Sequence, residues 1–201
     1  MSNKHKEEVA EAILSAALRL FRTQGVPQTS LRNIATEAGY TPGNVYLYFK
    51  NKAALLHTLH ARGFVQLGAQ FKILRSVQDP LERLKALGKV YLTFALEDPA
   101  MYHLMFVSNE PMEHLERDAD TLWSEGNETF GELKRTIIAC LKAGHFVGHT
   151  VEPFSLMVWS TVHGMATLAI GERIDRVRFE QPTDLLDRSY QAFCLMLDQL
   201  P

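Results

Sequence analysis

An all-α protein of about nine helices is expected from three features of this 201-residue sequence. Apolar residues recur at helical spacing in one segment after another. Glycines and acid–proline pairs punctuate those segments where helices stop and start. Alternating β-branched runs, the mark of half-buried strands, are absent.

In "EEVAEAILSAALRLF", Val9, Ile13, Leu14, Ala17, Leu20 and Phe21 share one helical face, and Gly25 ends the helix. Thr29 or Ser30 can cap a second, short helix over residues 30–38, whose apolar positions are Leu31, Ile34, Ala35 and Ala38; Gly39 stops it. Thr41-Pro42 is a cap followed by proline at the first helical position, which predicts a third helix over residues 42–48 with Val45 and Phe49 facing inward. A long helix over residues 51–74 follows, with Ala53, Leu55, Leu56, Leu59 and Phe64. Asp79-Pro80, Asp98-Pro99 and Glu152-Pro153 each start a later helix, because a capping carboxylate accepts backbone N–H groups and proline has none to orphan. A helix from Asp120 to Ala143 ends at Gly144, and a last one runs from after Pro182 to about residue 200. The segment from Phe154 to Ile170 is apolar nearly all round, and burial on most sides is expected; it is shorter than the ~20 residues of a bilayer span.

Two cysteines, Cys140 and Cys194, show neither zinc nor disulfide-framework spacing, and the charged N-terminus "MSNKHKEEVAEA" lacks the apolar core of a signal peptide. A cytoplasmic setting is expected. The net charge of −2 hides an asymmetry. Residues 1–62 carry eight Lys and Arg against four Glu, while the remainder carries thirteen cations against nineteen anions. A basic head on an acidic body points to a polyanionic partner for the head.

The two short helices joined at Gly39-Tyr40 have helix-turn-helix geometry, in which the second helix enters the DNA major groove. Thr41, Pro42, Gly43 and Asn44 form the end that meets base edges. Gly43 costs about 1 kcal/mol of helix propensity and leaves the backbone bare. Tyr46, Tyr48 and Lys52 can donate to phosphate oxygens, and Ser30 and Arg32 lie on the first helix of the pair. Arg32 has guanine as its natural base target, with a phosphate or surface contact as the equal alternative.

The run "TSLRNIATEAGYTPGNVYLYFKNKAALL", with "ILSAALRLFRTQG" upstream, resembles the N-terminal domain of TetR-type transcriptional regulators. The resemblance lies in Ile34, Ala35, Gly39, Gly43, Val45, Tyr46, Phe49, Lys52 and Leu55. It implies a homodimer that reads a near-palindromic operator, most simply as a repressor, and a small-molecule effector that releases it. It also implies a division into a DNA-binding head (residues 1–50), a linking helix (51–75) and an effector-binding and dimerisation body (76–201). Tyr48 stands where many members carry His, and Thr41-Pro42 replaces a common Ser-x.

"DPAMYHLMF" and "WSTVHGMATLAIGERI" resemble the C-terminal variant named for its Trp-His-Gly signature, here Trp159, His163 and Gly164. The small-residue stripe Ser160, Gly164, Thr167 and Gly171, with Leu185, Leu186, Phe193, Leu197 and Leu200, suits the two-helix seam through which the family dimerises; an ordinary intrachain core is the alternative. Tyr102, His103, Met105, Phe106, Trp123, Phe130, Trp159 and His163 are candidates for an aromatic, mostly apolar effector pocket, or for plain core. The pairs His57/His60 and His145/His149 lack the acidic or thiol companions of a metal site, so no metal and no cofactor are expected. Two other functions compete with the regulator. An enzyme in the body's cavity would have Ser155, Ser160 and His163 at hand, but the sequence has no G-x-S-x-G elbow, P-loop or dinucleotide fingerprint; a small-molecule carrier with a vestigial head is the other.

Overall fold

The computed structural model describes residues 3–111 and 123–201. Among them it contains ten α-helices, a short 3-10 turn and no strand. The helices are α1 (Asn3–Gln24), α2 (Leu31–Ala38), α3 (Pro42–Tyr46), α4 (Lys52–Ile73), α5 (Pro80–Glu97), α6 (Pro99–Phe106), α7 (Ser124–Lys142), α8 (Val151–Ile170), α9 (Arg173–Arg176) and α10 (Leu185–Gln199). The all-α expectation holds. The tenth helix is the four-residue α9, too short to show periodicity in sequence.

The chain forms two compact units that are not contiguous in sequence. One comprises Met1–Phe64 with Asp98–Trp123, the other Val65–Glu97 with Ser124–Pro201. Residues 98–111 therefore pack with the head's unit rather than with the rest of the 76–201 segment. A charge pair helps hold them there: Arg22 on α1 reaches both carboxylate oxygens of Asp98, which also accepts from the Met101 N–H as the N-cap of α6.

The first unit's core contains Ile13, Leu14, Ala17, Ile34, Ala35, Val45, Leu55, Leu56 and Leu59, all essentially inaccessible. There α1 packs on α2 and α2 on α3, and α4 contributes Leu55, Leu56 and Leu59. The helix expected over 42–48 stops at Tyr46. The N–H groups of Tyr48 and Phe49 both turn back to the Val45 carbonyl, which lets Phe49 bury before α4 begins. Asn51 then caps α4 through its side chain, accepting from the Ala54 N–H at 2.8 Å.

In the second unit α5, α7 and α8 pack together and α10 closes against α5 and α8. The acid–proline start holds at α5, where Asp79 accepts from the N–H groups of Leu81 and Glu82. At α8 it does not: Thr150 is the N-cap and Glu152 lies inside the first turn, paired with Lys134 at 2.8 Å. First-turn N–H groups need no helical partner, so Pro153 is tolerated there as well. The helix expected from Asp120 begins at Ser124 in the described part, and residues 120–122 lie outside the described residues.

The expectation that the 154–170 segment is buried on most sides is corrected. Phe154, Ser155, Val158, Val162 and Ala166 face inward, while Leu156, Met157 and Leu168 are 54%, 45% and 50% exposed. By length and composition α8 is apolar enough to cross a bilayer; here one of its faces lies on α5 and α7.

Candidate nucleic-acid interface

The α2–turn–α3 unit is built from caps. Ser30 and Asn33 form a capping box at the start of α2, so the Ser30 side chain is committed to its own helix. Gly39 ends α2 at φ 76°, a left-handed conformation that glycine takes without a Cβ penalty. The Tyr40 N–H returns to the Ala35 carbonyl at 2.9 Å, which sets the sharp reversal. Thr41 then caps α3, its hydroxyl oxygen accepting from the Asn44 N–H at 3.3 Å, and Pro42 takes the first helical position. Val45 and Phe49 anchor the underside against the core.

This leaves Thr41, Pro42, Gly43 and Asn44 together on an uncovered helix end, with Arg32 exposed on the preceding helix. A Cβ added at Gly43 would meet nothing nearer than the Thr41 hydroxyl at 3.9 Å. The fold itself does not require glycine there. Tyr46 is 57% exposed, and Tyr48 is half-buried.

Lys52 is placed differently from the expectation. Its ammonium donates to the Val26 carbonyl at 2.8 Å and lies 3.4 Å from the Glu110 carboxylate. Lys50 is exposed and forms no ion pair among the described residues. Sequence reasoning also passes over Leu47, 81% exposed directly after α3. Glu37, the only acid on α2, is paired with Arg19 at 2.8 Å, so Arg32 and Lys50 set the positive character of this face.

The effector candidates fall into two clusters. In the first unit Phe64 makes edge contacts with Phe106 (5.1 Å) and Trp123 (5.4 Å), His60 lies 4.9 Å from Phe64, and Tyr102 lies 5.2 Å from Phe106. The Trp123 indole N–H is buried and has no hydrogen-bond partner among the described residues. His103 is exposed and stands apart, because it occupies the outer face of α6. In the second unit Trp159 packs on Phe130 (5.6 Å) and His163 (5.9 Å), and the Tyr91 hydroxyl lies 2.9 Å from His163 Nδ1. Burial pushes the His163 imidazole below its ordinary range.

Of the seam candidates, Ser160, Thr167 and Gly171 are exposed and Gly164 has open space where a Cβ would stand. Leu186 is half-buried. Phe193 and Leu197, 6% and 1% exposed, belong to the unit's own core instead; the outward apolar residues of α10 are Leu195 and Met196. Among the described residues no three His, Cys, Asp or Glu side chains gather as metal ligands. His57 and His60 stack at 6.1 Å, and His149 packs on Phe154 at 4.8 Å.

A capped helix pair that leaves the second helix's N-terminus exposed beside exposed cations, in a chain that also has a larger helical unit, defines a helix-turn-helix DNA-binding protein. Comparison with known proteins narrows the class. Residues 13–59 match the family model for bacterial regulatory proteins of the tetR family, and residues 84–193 match a tetracyclin repressor-like C-terminal domain. The chain is 30% identical over 154 residues to the HTH-type transcriptional regulator AcrR of Shigella flexneri, covering 71% of this chain and 70% of that one. It is 45% identical over 67 residues to TtgR of Pseudomonas putida, covering 30% and 32% of the two chains. The TetR family regulator PfmR of Thermus thermophilus shares the fold at a TM-score of 0.68 and 18% identity, over 92% of this chain and 96% of that one. The chain belongs to the TetR family of DNA-binding transcriptional regulators. The C-terminal description does not name the Trp-His-Gly variant.

Proposed function

We propose that this regulator is a ligand-responsive repressor that acts in the cytoplasm, binds a near-palindromic operator as a homodimer, and is released by a small, mostly apolar effector. The observation that carries the DNA-binding part is the uncovered α3 N-terminus, Thr41 to Asn44, whose glycine the fold does not need. Two such ends in a two-fold dimer address successive major grooves, about 34 Å or one helical turn apart.

The division into head (1–50), linking helix (51–75) and body (76–201) is part of this proposal, as is the dimer seam. Met157, Ser160, Gly164, Thr167 and Leu168 form one continuous outward face of α8, and α10 adds Leu195 and Met196. An apolar face of this kind on an otherwise charged chain favours self-association. The effector reading rests on the aromatic clusters around Trp123 and around Trp159, each with few polar atoms among its rings. To release DNA, the effector must bind the non-binding conformation more tightly by a few kcal/mol.

The test is fluorescence anisotropy with near-palindromic fragments from the gene's flanking intergenic DNA at several salt concentrations. Specific, salt-sensitive binding that is lost in Tyr46→Ala and in Asn44→Ala supports the reading. Specific binding that survives both substitutions sinks the assignment of this face.

A further inference from the structure

We infer that the second unit carries a binding site for a small organic oxyanion, separate from the DNA face and from the aromatic clusters. The site is a cleft of about 230 Å³ where the end of α4, the following 3-10 turn (Leu74–Ser76), α5 and α7 meet. Arg75, Arg83 and Arg135 line it, with Phe71 and Leu87 as apolar walls. The one carboxylate in the lining is Glu132, which is only 4% exposed. Arg75 holds Glu132 through Nε at 3.1 Å and through Nη2, and Arg135 adds Nη2 at 2.6 Å. Burial alone would raise the Glu132 pKa, and the two guanidiniums outweigh it and hold the group ionised.

Three fixed cations against one fixed anion leave the cleft with two uncompensated positive charges. The neighbouring Glu128 also acts on Arg75 and Arg135, but it is paired with Lys72 at 2.6 Å, whose charge offsets its own. Arg83 donates Nε to the Val77 carbonyl and Nη2 to the Gln78 carbonyl, so its backbone partners position it without neutralising it. A guanidinium has five N–H donors in a planar fork that matches carboxylate or phosphate oxygens. On each of the three arginines, donors beyond those named are left for a ligand. A concave, positively charged site with low-dielectric walls concentrates anions. At about 30 Å³ per water, the cleft holds roughly eight waters, which suits a ligand on the order of ten heavy atoms. The oxyanion head meets the guanidiniums, and the apolar part lies against Phe71 and Leu87. Carboxylate and phosphate heads share this chemistry.

The experiment is isothermal titration of the full chain with benzoate, phenyl phosphate and the neutral benzyl alcohol. Saturable binding of either anion at one site per chain is expected, at least tenfold tighter than benzyl alcohol. Arg135→Gln and Arg83→Gln should each weaken it at least tenfold while circular dichroism stays unchanged. The stronger of the two anions assigns the headgroup. If a variant fails to fold, the wild-type chain decides: the bound anion should protect Arg75, Arg83 and Arg135 from phenylglyoxal, read by mass spectrometry. No saturable uptake, equal affinity for benzyl alcohol, or no protection overturns the site and reduces the three arginines to a structural network around Glu132. Operator binding measured on the same sample keeps this outcome distinct from failure of the DNA-binding reading.

Discussion

The Lys52 ammonium donates to the Val26 carbonyl at 2.8 Å, across 26 residues of sequence. That bond ties the first turn of α4 to the loop between α1 and α2, and so fixes the platform on which α3 is presented. A charge-assisted hydrogen bond of this type contributes about 1.5 kcal/mol when part-exposed. Lys50, two residues earlier, has no such tie and faces solvent. The two lysines should therefore separate. Lys50→Ala should weaken operator binding and reduce the salt slope by about one, with the melting temperature unchanged. Lys52→Ala should lower both affinity and melting temperature. Anisotropy and thermal melts on the same samples decide; a stable Lys52→Ala chain would contradict the anchoring role.

Gly88 on α5 is a close-approach glycine. A Cβ there would run into the Tyr190 hydroxyl and into its ring carbons at 3.1 Å, and that hydroxyl donates to the Lys85 carbonyl. Gly88→Ala should destabilise by about 1–3 kcal/mol through overpacking. Tyr190→Phe should cost about 1 kcal/mol for the lost bond. In Tyr190→Phe the clash at position 88 is partly relieved, so the double variant should lose less than the sum. Chemical denaturation of the four chains measures the coupling.

Gly164 has nothing within 4 Å of the position its Cβ would take. A side chain started there enters open space in the single chain and, on the proposed seam, meets the partner. Gly164→Leu should leave the helical signal intact and weaken the homodimer at least tenfold, as should Leu168→Glu. Analytical ultracentrifugation is the measurement, and an unchanged dimer in both variants would move the seam elsewhere.

His163 is the group whose burial sets a pH dependence. Its folded pKa lies below the ordinary imidazole value of about 6.5, so the unfolded chain binds the proton more readily. Its contribution to stability is complete above that value and declines as pH falls through it towards the folded pKa. The melting temperature should drop between about pH 7 and pH 5, and the drop should be smaller in His163→Gln. An equal drop in the two chains would place the dependence on another group.

Much of the fold is legible in the sequence. Capping residues, proline at first turns and the 3.6-residue apolar period are short-range features; α2 begins and ends, and α5 and α6 begin, where those features stand. The helix-turn-helix is legible for the same reason, since Ser30, Gly39 and Thr41 each act within a few residues of their own position. The points of difference share the opposite origin. The family resemblance offers Phe193 and Leu197 to a partner chain with their own core as the alternative, and they fill their own core, while Leu195 and Met196, one or two positions away, face out. An apolar period identifies the sticky face of a helix and leaves open which neighbour covers it. Likewise the acid–proline rule sets the start of α8 two residues late, because a first turn accepts both arrangements.

Local chemistry, then, determined the class, the helix order and the capped, exposed start of α3, because each depends on interactions between residues a few positions apart. Tertiary structure decided the roles that depend on long-range contact. It tied Lys52 to Val26, grouped α6 with the head's unit, divided the aromatic residues into two clusters, and left one face of α8 bare. It also brought Arg75, Arg83 and Arg135 around Glu132 from three separate elements. Side chains from separate elements meet only when the chain closes, and no spacing in the sequence records that meeting.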